Sequence, residues 1–148
     1  MVVDGELKLE HQLCVALNRA SRAVNACYRP LLNDIGLTYS QYSVMLVLWE
    51  QESTTLGELA RLLQLDSGTL SPLLKRMAEH GHLTRSRSAD DERVLIVSLT
   101  PAGRALQSQA VPIQAEVETA TQLGPDELSL LRDSLRDLTE ELNAHLPA

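Results

Sequence analysis

Phenylalanine is absent from these 148 residues, and three tyrosines and one tryptophan supply every aromatic ring. An interior must therefore be built from leucine, valine and alanine, which a 44% hydrophobic content can provide. Only two cysteines occur, Cys14 and Cys27, and the opening MVVDGELKLE is polar and acidic, unlike a secretion signal. That pattern argues against a disulfide scaffold and fits a reducing, cytoplasmic setting. No apolar run approaches the roughly 20 residues that span a bilayer, so no membrane partner is expected. Low-complexity tracts and internal repeats are missing. So are G-x-S-x-G, H-E-x-x-H and glycine-rich phosphate loops. His11, His80, His82 and His145 are scattered without metal-ligand spacing and read as solvated, and no cofactor is implied.

An overall excess of positive charge is also lacking. The net charge is −7, which taken alone argues against a nucleic-acid partner. The distribution of that charge softens the objection. Residues 67–100 carry five basic and four acidic groups, whereas residues 101–148 carry three and eight. Within 67–87, Lys75, Arg76, Arg85 and Arg87 face only Glu79. A local basic face can meet phosphate while the rest of the body stays acidic.

The stretch from Leu65 to Thr100 organises the chain. Asp66 or Ser67 can cap a helix that Gly81 is placed to stop. Leu70, Leu73, Leu74 and Met77 recur at helical spacing and define its apolar face, leaving Ser67, Thr69, Ser71, Lys75 and Arg76 largely elsewhere. Two strand-like runs follow, His82 to Arg87 and Val94 to Leu99, joined by polar Ser88 to Arg93. Asp91 and Arg93, two residues apart at that tip, can pair. A polar-faced helix followed by a basic hairpin is the layout of a winged helix-turn-helix, with the helix in the major groove and the hairpin beside it.

The flanks are helical. A first helix is expected from about Glu6 to Tyr28, ended by Arg29-Pro30, with Leu9, Leu13, Leu17, Ala20 and Val24 along one stripe. Thr38-Tyr39-Ser40-Gln41 is a capping box opening an apolar helix through Trp49. Thr55-Leu56-Gly57-Glu58 is a second box, starting a helix to about Leu63. Thr100-Pro101 starts another, which Pro112 should kink or break. Gly124-Pro125-Asp126-Glu127 opens the last, with Leu128, Leu131, Leu135, Leu138 and Leu142 as its stripe. The reading is one mainly α domain, 1–148, with a small β-hairpin wing. The winged helix-turn-helix occupies about 38–100, and dimerisation helices about 6–35 and 101–146. The terminal stripes can cover the winged core of the same chain or interleave with a second copy. Twofold symmetry doubles the few base contacts of a single reading head and favours the second arrangement.

Cys14 is read as lying mid-helix among Leu13, Val15, Ala16 and Leu17. It is either a small buried hydrophobe or a reactive thiol, and reactivity needs donors or positive charge nearby. Tyr28, Tyr39 and Tyr42 are the candidate donors, with aromatic core filling as their plainer role. Cys27 lies 13 residues on, about 20 Å along an unbroken helix. The two cysteines therefore pair between subunits or not at all.

Asp91-Glu92-Arg93 with Val97-Ser98-Leu99-Thr100 resembles the wing signature of MarR-family transcription regulators. Five further blocks resemble the OhrR-type, organic-hydroperoxide-sensing branch of that family. They are Gln12-Leu13-Cys14, Tyr28 to Leu32, Leu37 to Tyr42, Leu48-Trp49-Glu50 and Leu65 to Leu70. The resemblance runs from about Leu9 to Gly103. It implies a dimeric repressor on double-stranded DNA with an inverted-repeat operator, and no enzyme. Cys14 would be the peroxide-reactive cysteine. Tyr28 and Tyr39 would hydrogen-bond it across the dimer. Ser67, Gly68, Thr69, Ser71, Lys75 and Arg76 would form the recognition helix, and Arg93 would be the wing arginine that enters the minor groove; Arg85 and Arg87 join the DNA-binding set on their charge. Asn18 stands where some relatives carry a further tyrosine. The C-terminal third has no resolving cysteine, which implies capping of oxidised Cys14 by a small thiol. Two alternatives accompany this reading. One is a regulator released by a small phenolic ligand, with Cys14 structural. The other is a thiol peroxidase.

Overall fold

The computed structural model of the chain describes residues 7–148. It divides into two compact units, Met1–Ile113 and Gln114–Ala148. The first unit opens with a 3₁₀ turn at Leu9–His11, followed by α1 (Leu13–Asp34) and α2 (Tyr39–Gln51). A short strand β1 (Ser53–Thr55) precedes α3 (Leu56–Leu63) and α4 (Ser67–Glu79). Strands β2 (Leu83–Arg87) and β3 (Leu95–Leu99) form the hairpin, and α5 (Pro101–Ala105) follows. α6 (Gln107–Ala120) runs from the first unit into the second, which ends with α7 (Pro125–Ala144).

The starts of α2, α3 and α4 each have an identifiable chemical cause. Thr38 and Gln41 form the complete reciprocal box on α2, at 3.2 and 3.1 Å. Thr55 caps α3 through the Glu58 amide at 3.1 Å. The reciprocal half of that second box is missing, because the Glu58 carboxylate turns to Arg61 at 2.6 Å. Asp66 caps α4 through the Thr69 amide at 2.7 Å. Gly81, with φ +82°, follows the end of α4 and takes the left-handed conformation that glycine accepts without strain.

Three expectations about the terminal helices are corrected. The single helix from Glu6 is divided, because Gln12 is extended (ψ 116°) between the 3₁₀ turn and α1; Glu6 itself lies outside the described residues. Cys14 therefore sits in the first turn of α1, not mid-helix. α1 also continues through Pro30 to Asp34. Pro30 removes one backbone donor, but beyond it Leu32 is fully buried and Leu31 packs on the core, so tertiary burial overrides the local penalty. Pro112 likewise lies within continuous α6, between buried Ala110 and Ile113; the interruption falls earlier, at Leu106.

The sheet is antiparallel in the order β1-β3-β2. Arg85 faces Val97 and Arg87 faces Leu95 across the hairpin. The core of the first unit is aliphatic, built on Leu48, Leu59, Leu70, Leu74, Met77 and Val97. The second unit pairs the end of α6 with α7 through a turn at Thr121–Gly124, where Gln122 has φ +61°.

Candidate nucleic-acid interface and thiol site

α4 presents two faces. Leu70, Leu73, Leu74 and Met77 are buried, as their spacing predicts. Ser67, Gly68, Thr69, Lys75 and Arg76 are exposed and Ser71 is half-buried. Thr69 is not wholly free, since its hydroxyl donates to Asp66 Oδ2 at 3.1 Å. The two cations follow one another on the last turns of the helix, beyond the cap.

Arg85 and Arg87 follow Leu83 along β2 at every second residue, on the same face of the strand. Leu83 is buried, and the strand then runs out past the core, leaving both arginines exposed. Among the described residues, neither they nor Lys75 and Arg76 take part in an ion pair. Arg61, Arg104, Arg132 and Arg136, in contrast, are each matched to a carboxylate. Lys75, Arg76, Arg85 and Arg87 thus stay without counter-charges on the helix and strand expected to face DNA, as do Arg19, Arg22 and Arg29 on α1.

Arg93 is at the wing tip with 90% of its side chain exposed, and its guanidinium pairs with Asp91 at 3.1 and 3.2 Å. The Arg93 guanidinium, followed by its backbone N–H, holds the Asp91 carboxyl below the usual carboxylate range. Such an exposed pair contributes little to stability.

His82 departs from the solvated reading. It is half-buried where α4 turns into β2, and its Nδ1 is buried without a hydrogen-bond partner. Burial, then the nearby His80 ring at 6.0 Å, pushes the His82 imidazole below its ordinary value.

At the other end of the first unit, Tyr28, Tyr39 and Tyr42 form one cluster. Their ring centroids lie 5.4 to 6.5 Å apart. Tyr42 is buried, whereas Tyr39 is 42% exposed and Tyr28 is half-buried. Trp49 meets Tyr42 edge-on at 6.2 Å. Cys14 and Cys27 are both free, and both are exposed in the single chain. Cys14 and Tyr28 are 14 residues apart on α1, close to four full turns, so they share a face. Along that axis they are separated by about 21 Å. A chain therefore cannot bring its own tyrosines to its own Cys14.

This assembly of capped helix, three-stranded sheet and exposed cationic hairpin defines a winged helix-turn-helix DNA-binding regulator. Residues 26–109 match the family described as transcriptional regulator SarA/Rot. The chain is 42% identical over 137 residues to the organic hydroperoxide resistance transcriptional regulator of Bacillus subtilis, covering 93% of each protein. It superposes on the crystal structure of AbfR of Staphylococcus epidermidis with TM-score 0.78 and 35% identity, covering 92% of this chain and 94% of that one. AbfR has also been solved reduced on DNA, overoxidised on DNA and in a disulfide form. Bordetella bronchiseptica BpsR, whose DNA binding is regulated by 6-hydroxynicotinic acid, gives TM-score 0.82 at 27% identity, over 91% of this chain and 98% of that one. The chain belongs to the MarR-type family of winged-helix transcription regulators, on its organic-hydroperoxide-regulator branch. It is a DNA-binding protein and not an enzyme, which sets aside the thiol peroxidase reading.

Proposed function

We propose that this protein is a homodimeric, cytoplasmic repressor that releases an inverted-repeat operator when an organic hydroperoxide oxidises Cys14. The observation that carries the reading is the separation of Cys14 from the tyrosine cluster along one face of α1. Two copies of α1 packed antiparallel about Ser21 set Cys14 of one opposite Tyr28 of the other. The intervening Leu17, Ser21 and Val24 fall at helix-pair spacing. Leu13, 59% exposed on the same helix, is an apolar group that a second copy would cover.

Phenolic donors stabilise a thiolate. The Cys14 thiolate attacks one peroxide oxygen and the O–O bond breaks. The sulfur leaves as sulfenic acid, and the alkoxide takes a proton to become the alcohol. A small thiol then condenses with the sulfenic acid, forming a disulfide and releasing water. The added bulk displaces packed helices, and two reading heads lose the half-site spacing of about 34–36 Å. Ser67, Gly68, Thr69, Ser71, Lys75 and Arg76 face the major groove in this reading, with Arg85, Arg87 and Arg93 on the flanking backbone and minor groove.

The test pairs gel-shift with intact mass spectrometry after cumene hydroperoxide, with and without a small thiol. The parent should gain mass at Cys14 and leave DNA. Cys14→Ser should bind normally and stay bound, and Cys27→Ser should respond as the parent does. A Cys14→Ser protein that releases DNA on oxidation would overturn the thiol switch. A second reading, release by a small phenolic ligand, is favoured by one feature: a cavity of about 310 Å³ between α1 and α2 that includes Arg29 and Tyr39.

A further inference from the structure

We infer that Trp49 is the positioning residue that carries a change at the tyrosine cluster to the turn between the recognition helix and the wing. This inference rests on the thiol-switch reading above. Its basis is a series of contacts leading from one site to the other, all within the first unit. Tyr28 and Tyr39 pack with Tyr42, and Tyr42 meets the edge of Trp49. The Trp49 indole N–H crosses from α2 to α5 and donates to the Gly103 carbonyl at 2.9 Å, a link between residues 54 apart in sequence. The Gly103 amide donates to Thr100 Oγ1 at 3.0 Å. The same hydroxyl donates to the Gly81 carbonyl at 2.6 Å, and the Thr100 amide donates to the His82 carbonyl at 3.3 Å. Gly81 and His82 are the residues that join α4 to β2.

This series has little slack. Gly103 is buried, and a Cβ there would collide with the His82 carbonyl. Tyr42 is 4% exposed, so it has no solvent side to move into. A group inserted against Tyr28 and Tyr39 must therefore displace Tyr42 or leave the cluster closed. Displacing Tyr42 tilts the indole, and the indole takes the first turn of α5 with it. Packed contacts of this kind switch between discrete arrangements rather than deforming smoothly. The output is a changed angle between α4 and the β2–β3 hairpin, the two elements whose joint placement a half-site reads. The simpler role for the same bond is to satisfy a partly buried indole N–H. Contiguity alone does not separate these roles, so coupling must be measured.

Trp49 is the only tryptophan, so its fluorescence reports this link directly in the full-length protein. Oxidising the parent with cumene hydroperoxide should shift the Trp49 emission, and Cys14→Ser should show no shift. An unchanged parent emission alongside a mass gain at Cys14 overturns the inference. The second arm uses Trp49→Phe, which keeps a ring beside Tyr42 and removes the donor. The DNA probe is a duplex selected by the reduced parent from a random-sequence pool. Reduced Trp49→Phe should bind it within about twofold of the parent and oxidise at the same rate by mass. The loss of affinity on oxidation should shrink at least tenfold. Should that variant fold poorly, Thr100→Val cuts the series at its next link and should uncouple in the same way, whereas Thr100→Ser should not. If the parent releases DNA on oxidation and these variants release it equally, the relay is overturned alone. If the oxidised parent keeps its DNA, the sensing reading fails and the relay fails with it.

Discussion

The first unit and the terminal helices treat their leucines differently. Around α4 the apolar positions are covered by the chain itself: Leu48, Leu59, Leu70, Leu74 and Met77 have no exposed surface. Along α7 the same residue type at the same spacing stays open, with Leu131 at 47% and Leu142 at 55% exposure. A single chain therefore completes its reading head and leaves its long helices unfinished. Stability of the head and assembly of the proposed dimer should be separable by mutation.

The largest effect should come from the covered side. Leu74→Ala removes a fully buried side chain and should cost about 2–5 kcal/mol, read as a fall in the denaturant midpoint at unchanged slope. A loss of under about 1 kcal/mol would mean the head is not independently packed. On the open side, Leu131→Glu with Leu135→Glu should leave helicity and the head's stability nearly intact. Light scattering should show monomers at micromolar concentration, with operator binding down by two orders of magnitude or more. A dimer that survives both charges would place the interface elsewhere.

Arg93→Ala should weaken DNA binding by about 1–3 kcal/mol without altering the melting temperature, because its partner among the described residues is an exposed carboxylate. The smallest effect is titration of His82. Its folded-state value is lowered, so above about pH 6.5 both states are neutral and nothing is lost. Below that value the unfolded chain takes up the proton first, and stability falls as pH falls through the window beneath 6.5. His82→Gln should flatten that limb of the thermal-stability profile.

The head was the most legible part because its signals are local. Asp66, the 70-73-74-77 spacing and Gly81 each act within a few residues, and α4 begins and ends where they place it. β1 was missed because Ser53–Thr55 is three polar residues with no alternation of its own; it exists because β3 offers it an edge. Pro30 misled for the converse reason, since burial beyond it outweighs one missing donor, and Pro112 leaves α6 unbroken between buried Ala110 and Ile113. At the thiol site, the residues and their spacing along one helix were legible, but the place of Cys14 in its first turn was not, because the start of α1 depends on a single extended residue, Gln12. The bond from Trp49 to Gly103 had no sequence signal at all, since nothing local ties residues so far apart.

In the proposed reading, Arg93 comes to DNA already holding its own anion. A phosphate met in passing must compete with Asp91, two residues away, for the same guanidinium, and displacing that carboxylate leaves like charges side by side. The exchange is favourable only where several groups grip the arginine together, as in a narrow minor groove. The wing tip is thereby a poor adhesive for random duplex. In that reading it would act as a filter, shortening the protein's stay on the wrong sequence more than lengthening the stay on the right one.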